Sequence, residues 1–301
     1  MARVIVVGSI NHDVTVTVNR FPKPGETLSG SSLTYGLGGK GANQAAAAAR
    51  SGVPTVFIGA VGTDLAGHRL RTDLAAHGVD TSYLREVDSP SGTALITVST
   101  NGENTIILDA GANRAATIEP AKASLFPTPS DIVVLQAEIP AEANAAALAW
   151  AHSFGARVLL NLAPVRASDP TTLSRADILV VNESEAGLTL GLPAPATPLE
   201  AIGAAQALRG MGPRHVVVTL GSKGTAWASG AQAQHSPAIT LGQTVDTTGA
   251  GDAFVGALAA ALTLGKPFSE AITDGMRAGA TAILAPGAAS SYAALPTITR
   301  N

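Results

Sequence analysis

The sequence predicts a doubly wound α/β protein: a mostly parallel sheet with helices on both faces, and a small second sheet beside it. Three observations carry this. Apolar runs of four to six residues, rich in Val, Ile and Leu, recur along the chain and end in Gly, Asn or Pro; strands buried on both faces have this composition. Alanine-rich segments of helical length lie between most of them, and strand–helix alternation closes into a parallel sheet through right-handed crossovers. Two stretches instead alternate with a period of two, the mark of strands with one wet face.

In chain order, the buried strands are Val4–Val7, Val56–Val61, Ile132–Leu135, Val158–Leu160, Ile178–Val181 and Val216–Leu220. Helices are expected at Ala42–Ser51, Leu65–His77, Ala141–Phe154 and Leu199–Arg209, with the proline-rich patch Leu192–Pro198 as a loop. Two more, Ala250–Leu264 and Ser269–Leu284, are separated by Gly265-Lys266-Pro267. A C-cap glycine followed by proline stops a helix in this way. The period-two strands are Val14–Val18 and Thr93–Val98, the latter followed after Asn101-Gly102 by Thr105–Leu108. Asn-Gly between such runs is a hairpin signal. These strands, drawn from residues 13–35 and 92–109, form a lid or an oligomer surface on a single domain spanning 1–301.

Composition excludes several functions. Charged residues are 14% and aromatics 4%, with a net charge of -3 and 32 glycines. No basic or stacking footprint for nucleic acid is present. The absence of cysteine removes thiol nucleophiles, zinc–thiolate sites and iron–sulfur clusters. Mean hydropathy is positive at +0.27, yet the longest apolar run, Ala253–Leu264, is well short of the roughly 20 residues a membrane span needs. No signal-peptide core opens the chain. A soluble, cytoplasmic protein is expected, with no nucleic-acid or membrane partner. The alanine excess reads as helix filler.

Five segments carry candidate chemistry. In Thr247–Phe254 a glycine-rich turn runs into an apolar helix; the free N–H groups and dipole of a helix start attract anions. Gly249, Ala250 and Gly251 would form the cradle. Asp252 would accept a proton from a hydroxyl attacking a phosphoryl group held there, or else is a common N-terminal helix charge. Gly36–Gln44 also precedes a helix; with Gly41 after Lys40 it is no Walker A loop. Here Gly38 and Gly39 let a ligand touch backbone while Lys40 and Asn43 donate to hydroxyls, unless the segment is a plain turn. Asn11 and Asp13 follow the first strand, where open α/β sheets bind ligands and where Asx turns are also common. Asn182 and Glu185 follow another strand, placed to hold Mg²⁺ through water or to build a capping box. The turn Thr219–Gly224 lines a nucleotide pocket or is a simple hairpin. The six histidines show no metal spacing.

Together, Gly38-Gly39-Lys40-Gly41-Ala42-Asn43 and Asp246-Thr247-Thr248-Gly249-Ala250-Gly251-Asp252 resemble the two signature regions of the ribokinase-like, or phosphofructokinase-B, carbohydrate kinases. The resemblance runs from Val4 to about Ser291. It implies a Rossmann-like α/β/α domain with a small β-sheet lid, and transfer of the ATP γ-phosphoryl group to the 5-hydroxyl of D-ribose. Deoxyribose, fructose or pseudouridine remain as other substrates, and a non-catalytic sugar-binding regulator as another class. It further implies Asp252 as base, with Gly249, Ala250 and Gly251 as anion hole. Asn11, Asp13, Gly39, Lys40, Asn43, Glu138 and Asp252 would contact the sugar, with Ala94 and Ile96 covering it from the lid. Asn182, Glu185, Thr219, Gly221, Ser222, Lys223, Gly224 and Gly251 would bind nucleotide and Mg²⁺. Asp246, Thr248, Ala282, Ala285, Gly287 and Ser291 would hold a monovalent cation such as K⁺, mostly through carbonyls. Homodimerisation through the lid sheets follows from the same resemblance. The chain departs from the family at Ala285-Pro286, where a basic residue is common, and near Met276, where a histidine is.

Overall fold

The computed structural model describes residues 2–165 and 170–299. Its larger sheet starts with β1 (Val4–Val7) and receives β4 (Thr55–Gly62) and β5 (Val79–Val87) on one side. On the other side lie β8 (Ile132–Gln136), β9 (Arg157–Asn161), β10 (Ile178–Asn182) and β11 (His215–Thr219), all parallel. Two antiparallel strands, β12 (Thr225–Ser229) and β13 (Gln232–Ser236), extend that edge. Alternate residues of each central strand enter opposite cores, which explains the continuous Val/Ile/Leu runs. Val4, Val6, Val134 and Val180 meet α1 (Lys40–Arg50), α2 (Leu65–Ala76), α8 (Ala250–Thr263) and α9 (Phe268–Ala282). Ile5, Val7, Val133 and Val181 face the other layer. That layer holds α3 (Glu119–Lys122), α4 (Ala141–Ser153), α5 (Pro170–Arg175), α6 (Glu183–Leu190) and α7 (Pro198–Arg209).

The second sheet has the order β3-β2-β6-β7, with β2 at Asn11–Val18, β3 at Ser32–Gly38, β6 at Thr93–Ser99 and β7 at Asn104–Asp109. β6 and β7 form the hairpin signalled by Asn101-Gly102, and Gly102 takes a φ of 87° at its tip. Ala94 on β6 is buried opposite Asp13, while Leu33, Tyr35, Leu95, Ile106, Ile107 and Leu108 are exposed.

Among the described residues, four strands and three helices of this fold lack the periodic signal: β3, β5, β12, β13, α3, α5 and α6. β3 is almost wholly exposed, and β5 and β13 are polar edge strands; edge strands tolerate polar side chains because one side stays wet. The Thr219–Gly224 turn is the hairpin link between β11 and β12. No helix among the described residues is long and apolar enough to cross a membrane.

α8 is buried from Asp252 to Thr263, and α1 packs directly across it. At Gly256 a Cβ would lie 2.5 Å from the Gln44 carbonyl and 2.6 Å from the Ala47 Cβ. The small residues of α1 and α8 therefore set a close helix crossing. This corrects the reading of alanine as filler.

Candidate active site

Beyond β1 the chain turns to β4 on one side and later returns to β8 on the other. The carboxyl ends of β1 and β8 thus flank a topological switch point, where α/β sheets bind ligands. Both helix starts meet there. α1 begins at Gly39, whose φ of 86° and close approach to Ile10 and Asn11 exclude a side chain: a Cβ would sit 2.9 Å from the Asn11 nitrogen. The Lys40 N–H (3.0 Å) and the Ser9 hydroxyl (2.6 Å) both donate to Glu138 Oε2. Glu138 thereby ties the end of β8 to β1 and α1, and Oε1 remains for a ligand.

Asn11 is buried, and its Oδ1 accepts the Asn113 amide at 2.7 Å. Asn113 also accepts the Ile10 N–H at 3.0 Å. That bond leaves the Asn11 amide nitrogen as the polar end of the side chain not engaged by Asn113. Asp13 packs on Gly38 so closely that a Cβ there would lie 2.0 Å from its Oδ1. Burial pushes the Asp13 carboxyl up to about 7, and the charges of Glu138 and Asp252 act the same way.

α8 begins at Gly249, with a φ of 77° and its carbonyl bound by the Tyr292 hydroxyl at 2.7 Å. Tyr292 is fully buried. The Ala250 N–H turns back on the Thr247 carbonyl at 3.3 Å. The cradle therefore falls chiefly to later N–H groups of the first turn, Gly251 and Asp252 among them, which have no helical acceptor. Asp252 is buried and accepts Gln44 Nε2 on Oδ1 (2.9 Å) and Asn43 Nδ2 on Oδ2 (3.1 Å). The Lys40 ammonium is held above its ordinary value by Asp252 first, against the effect of burial, with help from Glu138 and Glu185.

On the far side of the same cleft lie Asn182, Glu185 and Thr219. Asn182 and Glu185 form a reciprocal capping box at the start of α6, each side chain bonding the other's N–H at 2.8 Å. Burial raises the Glu185 carboxyl, opposed by the Asn182 N–H and Lys40 and assisted by Asp252. Gly221, Ser222, Lys223 and Gly224 stand outside this cleft lining, and Lys223 Nζ donates to the Ala196 carbonyl at 3.0 Å.

Asp246 joins two loops. Its Oδ1 accepts the Thr248 N–H and hydroxyl, and its Oδ2 the Gly287 N–H at 2.8 Å. Burial would raise this carboxyl, but the Gly287 and Thr248 bonds outweigh it and hold it low. The Ser291 hydroxyl is spent on the Ala288 carbonyl. Ala282 is buried in the last turn of α9 and Ala285 is half-buried in the loop after it.

Residues 1–295 match the pfkB family of carbohydrate kinases. The chain belongs to that family. Among curated pfkB relatives, the ribokinase of Haemophilus influenzae is 37% identical over 290 residues, covering 95% of this chain and 94% of its own. A deoxyribokinase of Salmonella typhi is 34% identical over 292 residues, with 96% and 95% covered. The Arabidopsis thaliana ribokinase solved with ribose and ATP superposes with a TM-score of 0.90 at 34% identity, covering 99% of this chain and 96% of that one. The pfkB fold places the two signature segments, whose near ends Asn43 and Asp246 are 203 positions apart in sequence, at one crevice through the α1–α8 crossing.

Residues outside the two signatures brace the site by hydrogen bonds: Gln44 to Asp252, Asn113 to Asn11, Gln136 and Asn161 to Gln44, and Tyr292 to Gly249. Gln44 had a signal. It shares a helix face with Lys40, four residues earlier. The others act through bonds between distant segments and carry no local pattern.

The glycines of the cradle differ in a testable way. At Gly249 a Cβ would collide with Ala288 (2.6 Å) and the Tyr292 hydroxyl (2.7 Å), whereas at Gly251 it would meet nothing within 4 Å. Gly251→Ala is therefore expected to unfold at the same temperature as the unaltered chain, yet to lose about tenfold or more in turnover by filling room for an anion. Equal turnover would remove Gly251 from the cradle.

Proposed function

We propose that this pfkB kinase transfers the γ-phosphoryl group of ATP to the 5-hydroxyl of D-ribose. The hydroxyl oxygen attacks phosphorus, the bond to the bridging oxygen breaks, ADP departs and the hydroxyl proton passes to Asp252. The observation that carries this reading is the placement of a buried carboxylate, Asp252, beside the open start of α8. Gly249, Ala250 and Gly251 form the turn of the anion hole, and the N–H groups of Gly251 and Asp252, which lack a helical acceptor, are its chief donors. There, N–H groups fixed before reaction stabilise charge developing on the phosphoryl oxygens. Asn11, Asp13, Gly39, Lys40, Asn43 and Glu138 are assigned to the sugar. Each buried polar group left unmatched by a sugar lacking one hydroxyl weakens binding. The second sheet acts as a lid, with Ala94 and Ile96 over the sugar, and its exposed apolar face supports pairing with a second copy.

Mg²⁺ suits the cleft. Glu185 keeps an oxygen beyond its cap, and among the described residues no cluster of three or more His, Cys, Asp or Glu side chains forms a cage. Mg²⁺ prefers few protein ligands with water and phosphate; when bound, it neutralises phosphate charge. Asn182 and Thr219 would line the nucleotide beside it, with the Gly221–Gly224 turn at the rim. Asp246, Thr248 and Gly287 are tied into one loop pair; with Ala282, Ala285 and Ser291 they are assigned to a monovalent cation such as K⁺ that shapes the cradle. A metabolic ATP-consuming kinase of this kind belongs in the cytoplasm.

The test is ADP release over a panel of sugars and nucleosides, with and without K⁺. Ribose is expected to give the highest kcat/KM, and a preference for deoxyribose, fructose or a nucleoside overturns the substrate.

The acidic cluster adds a pH dependence. A carboxyl raised in the folded chain contributes stability fully present below its ordinary value of 3.8, lost as pH climbs through about 7. At pH 8 the ligand-free Asp13→Asn variant is expected to be more stable than the unaltered chain by at least about 1 kcal/mol, the gain vanishing towards pH 4. Its sugar binding is weakened. In the unaltered chain, sugar affinity falls from pH 8 to pH 6 as Asp13 gains a proton. Thermal unfolding and calorimetric titration at each pH read both effects; a pH-independent difference removes Asp13 from this role.

A further inference from the structure

We propose that Gln44 is a positioning residue for the phosphoryl transfer: it locks one oxygen of Asp252 and leaves the other to face the attacking hydroxyl. The inference rests on Asp252 being the base.

The argument starts from a group that can only accept. The Val180 carbonyl takes an N–H from Asn161 Nδ2 at 3.1 Å. That bond turns Asn161 Oδ1 towards α1, where Gln44 Nε2 donates to it at 2.9 Å. The second hydrogen of Gln44 Nε2 goes to Asp252 Oδ1, also at 2.9 Å. Gln44 Oε1 points the other way and accepts Gln136 Nε2 at 2.8 Å. Gln44 and Gln136 are fully buried.

The polarity of the chain is thus set from the backbone outward. A reversed Gln44 amide would press its carbonyl oxygen against both Asn161 Oδ1 and a carboxylate, so Asp252 always meets a donor. Charge-assisted bonds of this kind are the stronger ones. The two amides on Asp252 are not equivalent. Gln44 is held by three bonds and stays, whereas Asn43, on Oδ2, has its own Oδ1 buried without a partner among the described residues. Asn43 is the partner that exchanges when a hydroxyl arrives, so Oδ2 is the proton-accepting oxygen.

The experiment is a double-mutant cycle read by steady-state kinetics. Gln44→Met keeps length and volume but removes the donor. It is expected to lose about tenfold or more in kcat, with KM for the sugar within about threefold. In an Asp252→Ala background the same substitution is expected to cost less than about twofold, because residues acting through one group are not additive. An equal loss in both backgrounds, or a Gln44→Met kcat within about twofold of the unaltered enzyme, overturns the inference while the base assignment stands. An unimpaired Asp252→Ala sinks both. Should Gln44→Met fail to fold, the cycle is run with Gln136→Met, one hydrogen bond further out. The same non-additive pattern at smaller amplitude then supports the role, and additivity overturns it.

Discussion

Replacing Asp252 by alanine is expected to cut turnover at least about a hundredfold, the usual contribution of a general base, in a protein that still folds. Folding is expected to survive because two costs oppose each other. The Gln44 and Asn43 amides lose their acceptor, at about 1–3 kcal/mol for a buried donor. Against that, Asp252 raises the Asp13 carboxyl through its charge, and its removal relieves that repulsion. Lys40 loses its largest charge partner but keeps Glu138 and Glu185. Sugar binding should therefore persist in calorimetry while kcat collapses. Turnover within tenfold of the unaltered enzyme would take the base from Asp252, and loss of sugar binding along with kcat would recast it as a ligand-holding group.

What the sequence made legible follows from where each segment sits. β1, β8, β9, β10 and β11 are buried on both faces, so their apolar runs are uninterrupted. β3, β5 and β13 lie at edges or in the wet sheet and mix polar residues freely, which hides them. The two glycine signatures were legible because backbone that meets a ligand at a helix start needs glycine at fixed spacing. The Gly221–Gly224 segment stayed ambiguous, because a hairpin link between β11 and β12 asks for the same glycines as a turn that lines a nucleotide.

The amides behind Asp252 were not legible for a different reason. Gln44 reaches Asn161 across 117 residues and Asp252 across 208, and Gln136 reaches Gln44 across 92. No window of sequence holds two members of that network except the Asn43-Gln44 pair. Tyr292 under the Gly249 carbonyl is likewise 43 residues from its partner. Such contacts exist only once α1, α8 and the sheet are packed.

That packing depends on one position. Gly256 lies four residues after Asp252, on the same face of α8, and its missing side chain lets α1 come against the backbone. A Cβ there would stand 2.5 Å from the Gln44 carbonyl and 2.8 Å from the Ala48 nitrogen. Main-chain atoms inside a helix cannot step aside singly, so α1 and α8 must separate as bodies. Gly256→Ala is expected to destabilise the protein by about 1–3 kcal/mol, the typical cost of overpacking a core, and Gly256→Val by more. The loss in function should exceed the loss in stability. Moving α8 from α1 stretches the Gln44–Asp252 bond and carries Asp252 away from Lys40 and Asn43, and a displacement of about 1 Å at reacting groups can cost a hundredfold. At a temperature where Gly256→Ala is fully folded, kcat is expected to fall about tenfold or more. The control is Ala259→Ser, another buried position on α8, which should lower stability without a matching fall in kcat. If both variants lose activity only in proportion to the unfolded fraction, the crossing matters for folding alone and the base is placed by the loop before α8.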